Sequence, residues 1–338
     1  VTVLYPEATN SSDTGATSES WWVFRGSAAL PEPPPWRRLP ALDRGTPARR
    51  YFMEADEISI VNAALHLRRP LLVTGRPGTG KSSLAGELAE DLGLGEVLRW
   101  PVNSRSTLAD ALYRYDAIGR LREASLERER ERPRGRAGRL KRRPSPHSDI
   151  GNYLRLGPLG TALAAADAPR VLLIDELDKS DIDLPNDLLV VLEEGEFEIP
   201  ELARLPEHQQ SVDVLVTGSR HRVRVDRGVV RCRHFPVVVM TSNGEREFPP
   251  AFLRRCVRLH LADPDRKKLS DIVRHNLGEE ALAQANDLIE AFVDGDAAQS
   301  LATDQLLAAV HLRVTGADLS RDELLGAVMH RLDEAFPA

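Results

Sequence analysis

The sequence is poor in cysteine, in aromatic side chains and in lysine, and it contains no long apolar run. Cys232 and Cys256 are the only cysteines in 338 residues. Two cysteines without CxxC spacing make neither a zinc site nor a disulfide framework, and they fit a reducing, cytoplasmic compartment. No apolar run reaches the ~18 residues of a membrane-spanning helix, so no membrane association is expected. The first residues lack the basic-then-apolar pattern of a secretory signal. The chain also starts without Met, as a fragment or a processed chain does. A net charge of -6 excludes a surface built as a whole to coat nucleic acid or anionic membrane. Nearly all of the positive charge is arginine, which makes each lysine informative. His221, His234 and His260 have no metal-ligand spacing and are read as ordinary.

What is present is the balance of a globular protein, 42% hydrophobic and 28% charged, at a length that implies about two domains. Residues 1–50 form an N-terminal segment. Its first part is Ser/Thr/Asn/Gly-rich and expected to be mobile. An arm with Trp21, Trp22, Trp36 and a proline run follows. Those indoles are costly to leave in water, so the arm packs either on its own core or on a neighbouring subunit. From Glu54 the apolar positions Ile58, Ile60, Val61, Ala64 and Leu65 fall at helical spacing. "RPLLVTG", "GEVLRWPV", "PRVLLID", "HFPVVVMTS" and "CVRLHL" read as strands, and helical segments fill most of the gaps. The unbroken apolar runs suit parallel strands covered on both faces, so the fold class is α/β with a parallel sheet between helices.

Two intervals are too long for simple crossovers. Residues 103–160 form an insert that contains the charge run "LERERERPRGRAGRLKRRPSPHSD". Residues 212–233 alternate apolar and polar positions around Gly218 and Gly228, which predicts hairpins. Residues 51–262 therefore make a core domain, and 263–338 a helical one. Ser320 and Glu323 form a capping box for its last helix.

"GRPGTGKS" at 75–82 satisfies G-x-x-x-x-G-K-[ST] in full, after a strand and before a helix. Gly75, Arg76, Pro77, Gly78, Thr79, Gly80, Lys81, Ser82 and Ser83 are the candidate nucleotide-binding residues. The glycines permit close approach of backbone N–H groups to phosphate, and the helix start favours an anion. Lys81 reaches the β- and γ-phosphates of ATP, and the Ser82 hydroxyl ligates Mg2+. "VLLIDELDK" at 171–179 ends a buried strand in Asp175, the second magnesium residue. Glu176 follows as the carboxylate that polarises the attacking water. No N-K-x-D base-reading motif is present, which disfavours a GTPase, and a small-molecule kinase does not need the glutamate. Asn243, at the tip of the strand expected beside that of Asp175, orients water against the γ-phosphate. "SNG" is also a good turn sequence. Arg254 and Arg255 end a short apolar helix, and their own stretch offers only Glu245 and Glu247 as anionic partners.

With "GRPGTGKSS", "VLLIDELDKSDIDLPNDLLVVLEEGEFEI", "TSNGEREFPPAFLRRC" and a helical tail in this order, the chain resembles the MoxR family of AAA+ ATPases over roughly residues 50–335. The resemblance implies a five-stranded core, a small all-helical lid, and a homo-oligomeric, often hexameric, ring with ATP between subunits. It also implies that the insert and the hairpins are family additions to the core. In the family an arginine finger stands in "L-D-R-F". Here the residues are "LRRC", so Arg255 aligns with the finger and Arg254 replaces an acid. The other reading of both is a salt bridge at an interface. A second sensor arginine, usual early in a lid helix, is missing from "SLATDQLLAAVHLR". Asp304 stands near its place, and Arg313 is too far along. The family's work implies a protein partner to be remodelled or matured, often one with a von Willebrand factor A domain. The cluster Arg134, Arg136, Arg139, Lys141, Arg142 and Arg143 keeps a nucleic-acid or defence-system motor open. It lacks interleaved aromatics and adjoins a self-pairing "ERERER" run, so a solvated insert is favoured. A slowly hydrolysing ATP switch is the third reading.

Overall fold

The computed structural model describes residues 32–37, 53–131, 149–294 and 302–316. Trp21, Trp22, the basic cluster 134–143 and the box of Ser320 and Glu323 lie outside them. In chain order the elements are α1 (Ala55–Leu67), β1 (Leu71–Thr74), α2 (Lys81–Asp91), β2 (Leu98–Pro101), α3 (Leu108–Leu112), β3 (Tyr113–Tyr115) and α4 (Ala117–Glu131). β4 (Leu154–Leu156), α5 (Pro158–Leu163), β5 (Val171–Asp175), α6 (Leu184–Glu194), β6 (Glu196–Glu198) and α7 (Pro200–Ala203) follow. Then come β7 (Ser211–Leu215), β8 (Arg222–Asp226), β9 (Val229–Arg231), β10 (Val237–Ser242), α8 (Pro250–Leu253) and β11 (Val257–His260). The last are α9 (Arg266–Leu277), α10 (Glu279–Ala283), α11 (Asn286–Asp294) and α12 (Thr303–Val314).

The chain divides into two compact units, the first made of Met53–Gly75 and Lys81–Leu261. Its main sheet has five strands in the order β11-β1-β10-β5-β2, all parallel, as the sequence predicts. The unbroken apolar runs follow from double-sided burial: Val171, Leu172, Leu173 and Ile174 of β5 are all at 0% exposure. β10 pairs with β5 in the register Val237↔Val171 to Met240↔Ile174. That register brings the polar residues after Met240 beside Asp175.

The insert and the hairpins, expected as separate additions, join in one six-stranded sheet of order β3-β4-β7-β8-β9-β6. β4 from the insert meets β7 in parallel at Arg155↔Leu215. β7 and β8 pair antiparallel over their whole length, and the tight turn to β9 uses Arg227 and Gly228 at positive φ. The two ends of the insert are clamped together by very close packing of α5 on α3. A β-carbon on Gly160 would lie 1.9 Å from the Leu112 carbonyl oxygen, and one on Gly157 would lie 2.4 Å from that of Ala111. A single apolar cluster runs from Leu72 and Ile174 through Leu156 and Leu159 to Val214 and Val230.

The second unit comprises Arg76–Gly80 with the described residues before 53 and after 261. α9 to α12 close around Leu269, Val273, Leu288, Ile289, Leu306 and Val310. Trp36 of the proline arm packs on this cluster, its ring edge-on to His311 at 5.6 Å between centroids. Of the two destinations open to that indole, it takes its own chain.

Candidate functional site

The phosphate loop leaves β1 at Gly75 and enters α2 at Lys81. Gly75, Gly78 and Gly80 have φ of 151°, 81° and 90°, where a side chain is strained. Gly78 is further restricted by space, since a β-carbon would lie 2.8 Å from the Thr303 nitrogen. Arg76 pairs with Asp263 at 3.3 Å, and the Thr79 hydroxyl donates to the Arg76 carbonyl at 2.9 Å, so both loop side chains brace the loop itself. Pro77 is exposed, and Ser83 is half-buried beside Ser82 in the first turn of α2.

Lys81 is only 7% exposed, and its Nζ donates to the Gly75 carbonyl at 2.8 Å. Burial lowers its pKa, against the opposing pull of Asp178, Asp175 and Glu176. The ammonium is thus poorly hydrated, a condition that strengthens its attraction for added phosphate oxygens.

The carboxylate pair is held by a buried hydroxyl that the sequence reading did not single out. Asp175 Oδ1 accepts from Ser82 Oγ at 2.7 Å and from Thr241 Oγ1 at 2.6 Å. Thr241, 1% exposed, also accepts the N–H of Glu176 at 2.8 Å. Thr241 therefore fixes Asp175 and the start of the next residue together. Glu176 has φ 60°, a left-handed conformation that costs a non-glycine residue about 1–3 kcal/mol and aims its side chain off the strand axis. Its carboxylate pairs with Lys179 at 3.0 Å, and this partner raises the lysine pKa.

Ser82 and Asp175 together offer hard oxygen donors of the kind Mg2+ prefers. Among the described residues no cluster of three or more His, Cys, Asp or Glu could hold a metal. His221, His234 and His260 are not brought together, and His260 Nδ1 lies 3.1 Å from Thr74 Oγ1.

Asn243 follows β10 directly, in a turn where Gly244 has φ 81°, so it is both a strand-tip amide and part of an Asn-Gly turn. Its N–H donates to Asp178 Oδ2 at 2.9 Å. Arg255 does not rely on Glu245 or Glu247: its Nε pairs with Glu193 of α6, far away in sequence. Arg254 is exposed. In the helical unit Arg313 makes a forked pair with Asp287 at 2.5 and 3.0 Å and donates to the Gln284 carbonyl at 2.8 Å. This arginine is committed to holding α12 on α11, and Asp304 is exposed in the first turn of α12. Thr241, Asp178 and Lys179 were all missed as site residues. The only signal was polar residues set directly after buried apolar runs, in "VVVMTSN" and "LLIDELDK".

Residues 55–216 match the AAA ATPase domain family. The fold is the AAA+ P-loop core of five parallel strands followed by helices. Among solved structures, the chain is similar to a single-residue variant of RuvB from Thermotoga maritima, at 13% identity and a TM-score of 0.38 over 81% of this chain. The match spans 66% of that protein's chain. A search of the curated proteins finds no match. No helix among the described residues is long and apolar enough to cross a membrane.

Proposed function

We propose that the protein is a MoxR-like AAA+ ATPase that hydrolyses ATP at the interfaces of a homo-oligomeric, hexameric ring and uses the cycle to remodel or mature a protein partner. A partner with a von Willebrand factor A domain fits the resemblance. The observation that carries the ATPase reading is the chain Ser82–Asp175–Thr241–Glu176, in which a metal-binding hydroxyl, a metal-binding carboxylate and the backbone N–H of the residue that carries the water-polarising carboxylate are joined in one hydrogen-bonded row. Lys81 and the loop glycines hold the phosphates, and Ser82 and Asp175 hold Mg2+. Mg2+ held by Ser82 and Asp175 would supply positive charge against that developing on the phosphates. Glu176 takes the proton of the attacking water, and Asn243 orients that water. The MoxR assignment is supported by "TSNGEREFPPAFLRRC" and by the interrupted core, in which insert and hairpins form one added sheet.

Magnesium-dependent phosphate release by the purified protein tests the reading. Lys81→Ala is expected to lose binding of a labelled ATP analogue. Glu176→Gln is expected to bind it and not turn over, because the amide keeps the shape and loses the charge. Wild-type turnover by Glu176→Gln would remove that carboxylate from the mechanism.

A second reading, a slow ATP-dependent switch, is favoured by one feature. The Glu176 carboxylate is engaged by Lys179, which draws it toward its own turn. In this reading hydrolysis waits for the pair to open.

A further inference from the structure

Lys81 and Asp178 are the two buried charged side chains among the described residues. Lys81 belongs to the phosphate loop, but nothing yet explains Asp178. It is 4% exposed and lies in the turn after β5, three positions beyond Asp175. Its Oδ2 accepts from the N–H of Asn243 at 2.9 Å and of Glu245 at 3.1 Å. Gly244 between them has φ 81°, a backbone form that turns flanking N–H groups toward one anion. The N–H of Gly244 itself donates to Ser242 Oγ at 3.0 Å. Asp178 Oδ1 is buried without a hydrogen-bond partner among the described residues. An unpaired buried oxygen is costly, so packing alone does not account for a carboxylate here. Arg246 adds a second tether to the same turn, through Ser180 Oγ at 3.3 Å and the Asp181 carbonyl at 3.2 Å.

We propose that Asp178 is a positioning residue: its buried carboxylate is the internal anion of the loop 243–245 and holds the Asn243 amide at a fixed place relative to Asp175 and Glu176. The turn that carries Glu176 and the loop that carries Asn243 then move as one body. This rests on the ATPase reading. Its particular content is that Asp178 acts through backbone N–H groups, so an acceptor oxygen matters more than its charge.

Asp178→Asn keeps an oxygen that accepts both N–H groups, and Asp178→Ala keeps none. Asp178→Ala is expected to bind a labelled ATP analogue like wild type and to lose about tenfold or more in kcat. Combining it with Asn243→Ala is expected to cost little beyond Asn243→Ala alone. Asp178→Asn is expected to hold kcat within about threefold of wild type. Hydrogen exchange at the Asn243 and Glu245 amides should be slow in wild type and Asp178→Asn, and fast in Asp178→Ala. Wild-type kcat in Asp178→Ala, fully multiplicative losses in the double variant, or equal losses in Asn and Ala would each overturn the proposal. If Asp178→Ala does not fold, the wild-type exchange decides: unprotected Asn243 and Glu245 amides would refute the tether. Absence of turnover in the wild type would instead count against the ATPase reading, and the exchange result would still stand.

Discussion

Thr241 has one hydroxyl and spends it twice, as donor to Asp175 and as acceptor from the Glu176 N–H. Thr241→Val keeps the shape and β-branching but removes both bonds at a site that is 1% exposed. Leaving the partly buried N–H of Glu176 unpaired is expected to lower unfolding free energy by about 1 kcal/mol or more, read from denaturant midpoints. Turnover should fall together with Mg2+ affinity, because Asp175 loses a fixed partner. A stable variant with unchanged magnesium dependence would contradict this. Lys179 presents the opposite case. Its pair with Glu176 has side chains 39% and 44% exposed, so it contributes under about 1 kcal/mol to stability. Lys179→Met should leave the thermal midpoint almost unchanged and raise basal turnover by freeing Glu176. A lower turnover in that variant would show that the lysine assists hydrolysis.

At the scale of elements, the six-stranded second sheet depends on close approach of α5 to α3. Gly160→Ala places a methyl group against the Leu112 carbonyl, which cannot move without moving α3. The expected loss is about 1–3 kcal/mol or more, with the phosphate site spared at permissive temperature. β3 is fastened to α7 by the Tyr113 hydroxyl, which donates to Glu201 at 2.9 Å. Burial first, and then the neighbouring Glu201, pushes the phenol pKa up to about 12 from 10.0. A raised folded pKa contributes stability that is whole below 10.0 and is lost as pH rises through about 12. Tyr113→Phe should therefore flatten the stability curve in that alkaline window and remove a late-ionising tyrosine from an ultraviolet titration. In the helical unit the guanidinium of Arg313 depresses the Asp287 pKa below 3.8. That contribution is present above the ordinary carboxyl range and is lost as pH falls through the folded value, so Asp287→Asn should weaken the acid dependence of the unit's unfolding.

For the whole molecule, the question is whether one chain holds a complete site. The described residues supply the phosphate loop, both carboxylates and Asn243, while Arg255 is paired with Glu193 of its own chain. An arginine delivered to a γ-phosphate contributes ~10³–10⁵ in rate, or about 4–7 kcal/mol of barrier. A half-exposed ion pair worth under about 1 kcal/mol is easily exchanged for that. Arg255→Ala should keep nucleotide binding and lose most turnover. Mixed with Lys81→Ala subunits, which carry the arginine but bind no ATP, it should regain part of the activity. If subunits exchange freely and the mixture stays inactive, Arg255 serves its own chain or only joins α6 to the end of α8.

The sequence by itself determined the parallel sheet and the phosphate loop, because both are written in contiguous residues. Double-sided burial demands unbroken apolar runs such as those of β5 and β10. The phosphate binding proposed for this helix start calls for glycines followed by Lys81 and Ser82. Only the tertiary structure decided what lies between those stretches in space. The β10–β5 register sets Thr241 against Asp175, and the turn after β5 carries Asp178 under the Asn243 loop. It likewise joined β4 to β7 and gave Arg255 the partner Glu193. Each of these pairs unites residues dozens of positions apart. Nothing local in a threonine, an aspartate or a glutamate records which distant strand or helix will be packed beside it.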